Sequence, residues 1–215
     1  MTVRICPGEP IMNYLVSYNR SGNTWIRYIL EYLSGRPTWG HEKFSISERF
    51  KENSPIILTS SDPIIIKRHE LIPREITTDD KVIFILRDYK ECIWNSMNCK
   101  HEKFEEEYRK YQKLLYFFEK FRGEKRLLRY DSIINEPEIS IILILYFLDL
   151  IGKTKESVEE FCKNIEQHKE NCFSIYSNSI NTKDQKPTFS KEDIDFMTSV
   201  VERISWSEYI FTKDL

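Results

Sequence analysis

The sequence predicts an α/β fold in which a mainly parallel central sheet is flanked by helices. Two observations carry this prediction. Short apolar runs alternate along the chain with longer amphipathic stretches, which is the pattern of strand–helix units. In addition, residues 82–86 (VIFIL) form an uninterrupted apolar run, which is typical of a strand buried on both faces of a parallel sheet.

The individual elements follow from apolar periodicity and from the glycines and prolines that bound them. The opening unit is a strand, a tight polar loop and a helix that ends at Gly35. The predicted strands are residues 13–18, 64–67, 82–86 and 126–130. The predicted helices are residues 24–34, a segment from residue 90, and residues 104–121, 139–150, 155–169 and 191–203.

Length and charge limit the classes of protein to consider. The 215 residues are the size of one domain, so we expect a single domain over residues 1–215. Its motif-bearing core is expected at about 11–152, with a helical C-terminal part at 153–215. A net charge of −2 gives no general attraction to nucleic acid or acidic membranes, so any phosphate binding must come from a local site.

Cysteine spacing and apolar runs indicate the compartment. The five cysteines include no CxxC pair, which favours reduced thiols and gives no zinc-binding pattern. The first ten residues lack an apolar signal core, and the longest apolar run, 139–151, is too short to span a bilayer. We therefore expect a cytoplasmic protein without a membrane span, in which residues 139–150 form a buried helix.

Polar residues follow each predicted strand. In parallel sheets the ligand crevice lies beyond the carboxyl ends of the strands, so these residues are expected to form one shared site. The polar clusters are residues 19–24, 67–69, 87–88 and 130–131.

Residues 19–25 (NRSGNTW) lie between the first strand and the first helix. Such a loop presents free backbone N–H groups and the positive end of the helix dipole. Gly22 permits a tight turn, Arg20 adds a permanent cation, and Ser21 and Thr24 add hydroxyl donors. The loop is therefore either an anion cradle or an ordinary capped helix start. It has one glycine and no lysine, so it is not a Walker A loop.

The stretch SYNRSGNTWIRYILEYL resembles the 5′-phosphosulfate-binding loop of the sulfotransferases that use 3′-phosphoadenosine 5′-phosphosulfate (PAPS). That family carries Pro-Lys-Ser-Gly-Thr-Thr-Trp or Pro-Arg-Ser-Gly-Asn-Thr-Trp, and Asn19 replaces the proline here. Three later segments resemble other family motifs in the same order. They are IIIKRHELIP, KVIFILRDYKECIWNS and RLLRYDSIINEP.

The resemblance implies a P-loop-NTPase-like arrangement and assigns roles to residues. Arg20 would stabilise the leaving phosphate, while Ser21, Gly22, Asn23 and Thr24 would hold the 5′-phosphosulfate. Trp25 would stack on adenine, unless it is an ordinary core aromatic.

His69 matches the family's general base, a role that suits a neutral imidazole; the alternative is a structural histidine. Lys67 matches a family lysine near the transferred group. The other histidines, His41, His101 and His168, lie in polar stretches and are expected to be solvated.

The 3′-phosphate side departs further from the family. Arg87 matches the family's 3′-phosphate arginine, with an ion pair to Asp88 as the alternative role. The family serine eight residues later is Asn95 here, followed by Ser96. Tyr130 matches a nucleotide-contacting tyrosine or packs in the core. The family's Arg-Lys-Gly stretch is missing from the sequence, and Lys183 and Lys186 are its only candidate replacements.

The predicted function is transfer of a sulfuryl group from PAPS to a small-molecule or other hydroxyl-bearing (or amine) acceptor, which leaves 3′-phosphoadenosine 5′-phosphate (PAP). No metal is required by this chemistry, because Arg, Lys and His supply the charges and the base. Two alternatives are a small-molecule kinase, which would need a Walker A lysine and Mg²⁺ ligands, and a nucleotide-binding protein without chemistry.

Overall fold

A five-stranded sheet forms the centre of the molecule in the computed structural model, which describes residues 11–40, 44–50, 54–69, 76–96, 101–174 and 188–203. The strands are β1 (Asn13–Ser17), β2 (Thr38–Trp39), β3 (Ile65–Arg68), β4 (Lys81–Leu86) and β5 (Glu124–Arg129). They lie in the order β2-β3-β1-β4-β5, and every neighbouring pair is parallel. The predicted α/β fold with a parallel sheet is confirmed.

Helices cover both faces of this sheet. They are α1 (Asn23–Ser34), α2 (Tyr89–Ser96), α3 (Phe104–Lys120), α4 (Tyr130–Asn135), α5 (Pro137–Phe147), α6 (Val158–Lys163), α7 (Ile165–Ser174) and α8 (Lys191–Arg203). Alternate side chains of β1 point into different cores, because successive strand residues face opposite sides. Leu15 joins the core beneath α1, α5 and α6, and Val16 joins the core beneath α2, α3 and α8.

Several element boundaries differ from those predicted. Tyr130 is not the end of a strand but the first residue of α4. The predicted helix over 155–169 is two helices separated at Asn164. Strand β2 was not predicted, because a two-residue edge strand has no apolar periodicity to reveal it.

The prediction that residues 139–150 form a buried helix is wrong for one of its faces. Residues at helical spacing along α5 are exposed, with Tyr146 the most exposed at 69%. The helix is apolar all round, so its sequence alone did not distinguish a buried face from an open one. The other exposed residues of this face are Ile139, Ile142 and Leu143.

The prediction that His168 is solvated is also wrong. Its side chain is 5% exposed, its Nδ1 lies 3.1 Å from the Tyr28 hydroxyl, and its ring stacks on Phe161. Burial lowers the pKa of His168. His101 is half-buried and its Nε2 forms a hydrogen bond with the Asp193 carboxylate at 2.9 Å, while His41 lies outside the described residues.

A buried Arg–Glu pair on α1 fixes the segment that carries β2. Arg27 donates from Nε to the Thr38 hydroxyl at 2.8 Å and from Nη2 to the Thr38 carbonyl at 2.7 Å. Glu31, one turn later and 0% exposed, accepts hydrogen bonds from the Thr38 hydroxyl and from three backbone N–H groups. These N–H groups belong to Thr38, Ile46 and Ser47. The pair therefore anchors Thr38, Ile46 and Ser47 to α1.

None of the helices formed by the described residues combines the length and the apolar character that a membrane crossing requires.

We predict that Glu31→Gln lowers the free energy of unfolding by about 3 kcal/mol, because the amide NH₂ would face backbone N–H groups that lose their acceptor. Chemical denaturation followed by circular dichroism measures this loss. The control is Glu166→Gln, since Glu166 forms only an exposed ion pair with Lys169, and we expect nearly unchanged stability. Equal stability of the two variants would contradict an anchoring role for Glu31.

Candidate functional site

The carboxyl ends of four adjacent strands bring the predicted site residues together. His69 directly follows β3, and its Nδ1 lies 2.9 Å from the carbonyl oxygen of Ser17, the last residue of β1. Arg87 directly follows β4 and donates from Nη1 to the carbonyl oxygen of Arg20 at 2.7 Å. The Arg87 guanidinium lies 4.1 Å from the centre of the Tyr130 ring, which follows β5. One edge of the sheet therefore carries the whole candidate site.

The loop between β1 and α1 has an unusual backbone. Arg20 has φ 61° and Gly22 has φ 90°, so both lie in the left-handed region. That region is uncommon for a residue other than glycine, and alternation of left-handed and ordinary residues turns successive N–H groups toward a shared concavity. A Cβ atom at residue 22 would lie 2.8 Å from Cε2 of Tyr130. Residue 22 must therefore be glycine for two reasons, because its φ is positive and because the Tyr130 ring leaves no room for a side chain.

The start of α1 carries polar groups that the protein itself does not satisfy. Within the described residues, no side chain caps this helix, and the amide nitrogens of Ser21, Gly22 and Asn23 donate to no protein acceptor. The buried Ser21 hydroxyl and Trp25 Nε1 also have no nitrogen or oxygen partner there. The Cys92 thiol is the polar neighbour of Ser21. Free donors at a helix N-terminus can bind an anion. Of the two alternatives for residues 19–25, an anion-binding loop therefore fits these contacts better than a helix start capped by a side chain.

Asn23 and Thr24 form the first turn of α1. The Asn23 side chain donates to the Ser17 hydroxyl, which in turn donates to the carbonyl oxygen of Tyr18 at 2.8 Å. This chain of bonds ties the helix start to the end of β1. Thr24 is half-buried in the same turn. Arg20 is exposed.

The hydrogen bond to Ser17 determines which nitrogen of His69 can act as a base. A carbonyl oxygen only accepts, so Nδ1 carries the proton and Nε2 of the neutral ring keeps a free lone pair. Burial, with a smaller contribution from the Lys67 cation, lowers the pKa of His69 to about 4, and the Ser17 bond opposes this shift. The imidazole is therefore neutral at pH 7.

Lys67 lies two residues before His69, so both residues lie on the same face of the extended chain. Its backbone is opposite Leu15 of β1. Burial, with smaller contributions from the charges of Arg27 and Arg49, lowers the pKa of Lys67 to about 8. Lys67 remains mostly protonated at pH 7 but is close to losing its charge. Arg27 was not among the predicted site residues, since its only signal in the sequence is a charged i, i+4 pair with Glu31 within a mostly apolar helix.

Arg87 is 5% exposed and makes contacts that the sequence did not predict. Its ion pair is with Glu91, at 3.1 Å from Nε, and not with Asp88. Asp88 instead accepts a hydrogen bond from the backbone N–H of Lys90. One helical turn separates Arg87 from Glu91, which brings them together, whereas adjacent residues face apart.

The residues expected near a 3′-phosphate are only partly assembled. Asn95 and Ser96 lie half-buried in the last turn of α2, and the Ser96 hydroxyl is 3.4 Å from that of Tyr18. The Tyr18 hydroxyl also donates to the Glu107 carboxylate. Lys183 and Lys186 lie outside the described residues.

Trp25 packs within the core. Its ring stacks on Tyr28 with centroids 5.7 Å apart and contacts Phe161 at 6.2 Å, and the residue is 9% exposed. The face covered by Tyr28 cannot also stack on a base in this conformation. Its Nε1 is buried and has no hydrogen-bond partner among the described residues.

Among the described residues, His, Cys, Asp and Glu side chains form no group of three arranged to hold a metal ion.

We predict that Gly22→Ala lowers the melting temperature more than Gly152→Ala. Both glycines have positive φ, and that conformation costs alanine about 1 kcal/mol. Only Gly22 is covered, since a Cβ at residue 152 would meet nothing within 4 Å. The clash with Tyr130 should add at least about 1 kcal/mol. Thermal unfolding compares the two variants, and equal losses would contradict the close approach of Tyr130.

The sequence matches no protein-family model, and no curated protein matches it significantly. Among solved structures, 43 chains match. One is the crystal structure of mouse sulfotransferase SULT7A1 complexed with PAP, which is 18% identical to this chain. The alignment covers 92% of this chain and 80% of that chain, with a TM-score of 0.41. At this identity and score, the likeness carries no weight for the function of this chain.

Proposed function

We propose that the chain is a sulfotransferase that moves a sulfuryl group from PAPS to a hydroxyl or amine on a small-molecule or other acceptor. One observation carries the proposal. His69 Nδ1 donates to the Ser17 carbonyl, which leaves Nε2 of the neutral imidazole available as a base. Ser17 is the last residue of β1, which leads directly into the loop of residues 19–25, called the anion loop below. The resemblance of that loop to the family's phosphosulfate loop supports the choice of donor.

The reaction needs a base and a charge acceptor, and the site offers both. His69 Nε2 would take the proton of the acceptor hydroxyl while the acceptor oxygen forms a bond to sulfur. The bond between sulfur and the bridging oxygen breaks, and its electrons stay on the 5′-phosphate. Arg20 would stabilise that charge electrostatically, because a guanidinium scarcely releases its proton. Lys67, on the same side as His69, would stabilise the oxygens of the sulfuryl group.

The remaining predicted residues would bind the nucleotide. The unsatisfied donors at Ser21, Gly22 and Asn23, together with Thr24, suit the 5′-phosphosulfate. Arg87, Asn95 and Tyr130 would line the side that receives the 3′-phosphate and the adenine. We assign Trp25 an edge contact through Nε1, because its ring face is packed on Tyr28.

We predict that PAP raises the melting temperature of the protein more than ATP with Mg²⁺ does at equal concentration. A ligand that binds only the folded state stabilises it in proportion to its affinity, and the loop has no Walker A lysine for the β- and γ-phosphates. A thermal-shift assay measures both ligands. Stronger stabilisation by ATP with Mg²⁺ would favour a kinase and contradict the proposal.

We predict that His69→Ala abolishes sulfuryl transfer from labelled PAPS and leaves PAP affinity nearly unchanged, because His69 acts on the acceptor proton. A radiometric transfer assay measures the first effect and calorimetry the second. Unchanged turnover in the variant would remove His69 from the mechanism. An intact chain that binds PAP but transfers nothing to any acceptor would identify a nucleotide-binding protein without chemistry.

We predict a broad pH optimum for kcat/KM. His69 must be neutral, so its lowered pKa places the acid limb near pH 4 instead of 6.5. Lys67 must be charged, so its lowered pKa places the basic limb near pH 8. Lys67→Arg should retain activity and move the basic limb upward, since arginine stays charged. A basic limb that does not move in this variant would show that Lys67 is not the group that titrates.

A further inference from the structure

The Arg87 guanidinium joins three parts of the site. Nε pairs with Glu91 on α2 at 3.1 Å, and Nη1 donates to the Arg20 carbonyl in the anion loop at 2.7 Å. The plane lies 4.1 Å from the centre of the Tyr130 ring at the end of β5. Further along the chain, the Tyr111 hydroxyl of α3 donates to the Arg87 carbonyl at 2.8 Å. Arg87 is thus held from several sides, which fixes the position of its guanidinium.

The bond to the Arg20 carbonyl has a consequence for the next amide. A trans peptide group is planar, so its C=O and N–H point in opposite directions. The carbonyl of Arg20 points toward Arg87, and the N–H of Ser21 in the same peptide group therefore points away from it. Arg87 in this way fixes the direction of the first free N–H donor of the loop.

Tyr130 holds the next residues of the same loop. Its ring contacts Gly22 so closely that a Cβ there would meet Cδ2 and Cε2 within 2.9 Å. The guanidinium lies against this ring, so Arg87, Tyr130 and Gly22 contact one another in sequence. The two left-handed residues of the loop, Arg20 and Gly22, are therefore both supported by contacts, Arg20 from Arg87 directly after β4 and Gly22 from Tyr130 directly after β5.

We propose that Arg87 and Tyr130 are positioning residues that hold residues 20–22 in the anion-binding conformation. The inference rests on the proposed function insofar as the anion is the 5′-phosphate end of a nucleotide. It differs from the role that the family resemblance gives Arg87, which is to bind the 3′-phosphate. A guanidinium has five N–H donors, so Arg87 can hold the loop and still contact a phosphate.

Binding of two nucleotides distinguishes a role of Arg87 in positioning the loop from a role in binding the 3′-phosphate. PAP carries both a 3′- and a 5′-phosphate, whereas AMP carries only the 5′-phosphate. We expect Arg87→Gln to weaken the binding of AMP about tenfold or more, because the lost bond is made by a charged donor. The affinity for PAP should fall by at least the same factor. Unchanged AMP affinity with weakened PAP, or unchanged affinity for both, would overturn the positioning role. Isothermal titration calorimetry gives both affinities.

Hydrogen exchange of the protein without nucleotide provides a second test, which does not depend on ligand binding. We expect the amide of Ile26, which donates to the carbonyl oxygen of Gly22 at 3.2 Å, to exchange faster in Arg87→Gln and in Tyr130→Leu, because a loosened loop opens this bond. Its rate should stay the same in Tyr130→Phe, which retains the ring. The Tyr130 variants also serve if Arg87→Gln does not fold. Unchanged exchange of the Ile26 amide in Tyr130→Leu would contradict the proposal.

The control is Arg109→Gln, since Arg109 also forms an i, i+4 pair, with Glu105 on α3, but this pair is exposed whereas that of Arg87 with Glu91 is buried. Exchange of the Ile26 amide and AMP affinity should not change in this variant, and a change equal to that of Arg87→Gln would overturn a specific role for Arg87. If the unaltered protein binds neither PAP nor AMP, the proposed function fails. Hydrogen exchange then still decides whether Arg87 and Tyr130 hold the loop.

Discussion

The parallel pairing of β1 with β3 on one side and β4 on the other fixes the positions of His69 and Arg87 in the candidate site. Register places Ser17 of β1 beside the residue that follows β3, which is His69, and beside Ile85 of β4, close to Arg87. Since all strands run in the same direction, each delivers its following residue to the same edge. A slip of one residue in either pairing would turn His69 or Arg87 to the opposite face of the sheet.

The burial that this pairing creates also sets the charge states of the site. Desolvation is the main cause that lowers the pKa of His69 and of Lys67, and neighbouring cations lower both values in the same direction. Arg27, fully buried on α1, is one of these cations, and its charge is tolerated because carbonyl oxygens and Thr38 surround its donors. The result is a neutral imidazole at His69, a lysine at residue 67 whose pKa is lowered to about 8, and an exposed Arg20.

The residues of the candidate site could be named from the sequence, but the contacts among them could not. The strand–loop–helix at residues 13–34 and the residues after β3 and β4 were predictable, because apolar runs mark strands and polar residues mark their ends. The partner of Arg87 was not, since the choice of Glu91 over Asp88 depends on where α2 begins. The buried state of His168 and the open face of α5 were missed, because both depend on which helices pack together. The roles assigned to Arg20, Asn95 and the rest of the nucleotide site stay predictions.

Tyr130 covers Gly22 although the two residues are about a hundred positions apart in the sequence. During synthesis, the loop and α1 leave the ribosome well before β5 exists, so the loop stays uncovered until the last strand has joined the sheet. A contact of such long sequence separation forms late and slowly, because a large loop must close first. A nucleotide that selects the covered loop would therefore favour the chain in which the far strand has docked, and would stabilise the sheet from β1 to β5 as one unit.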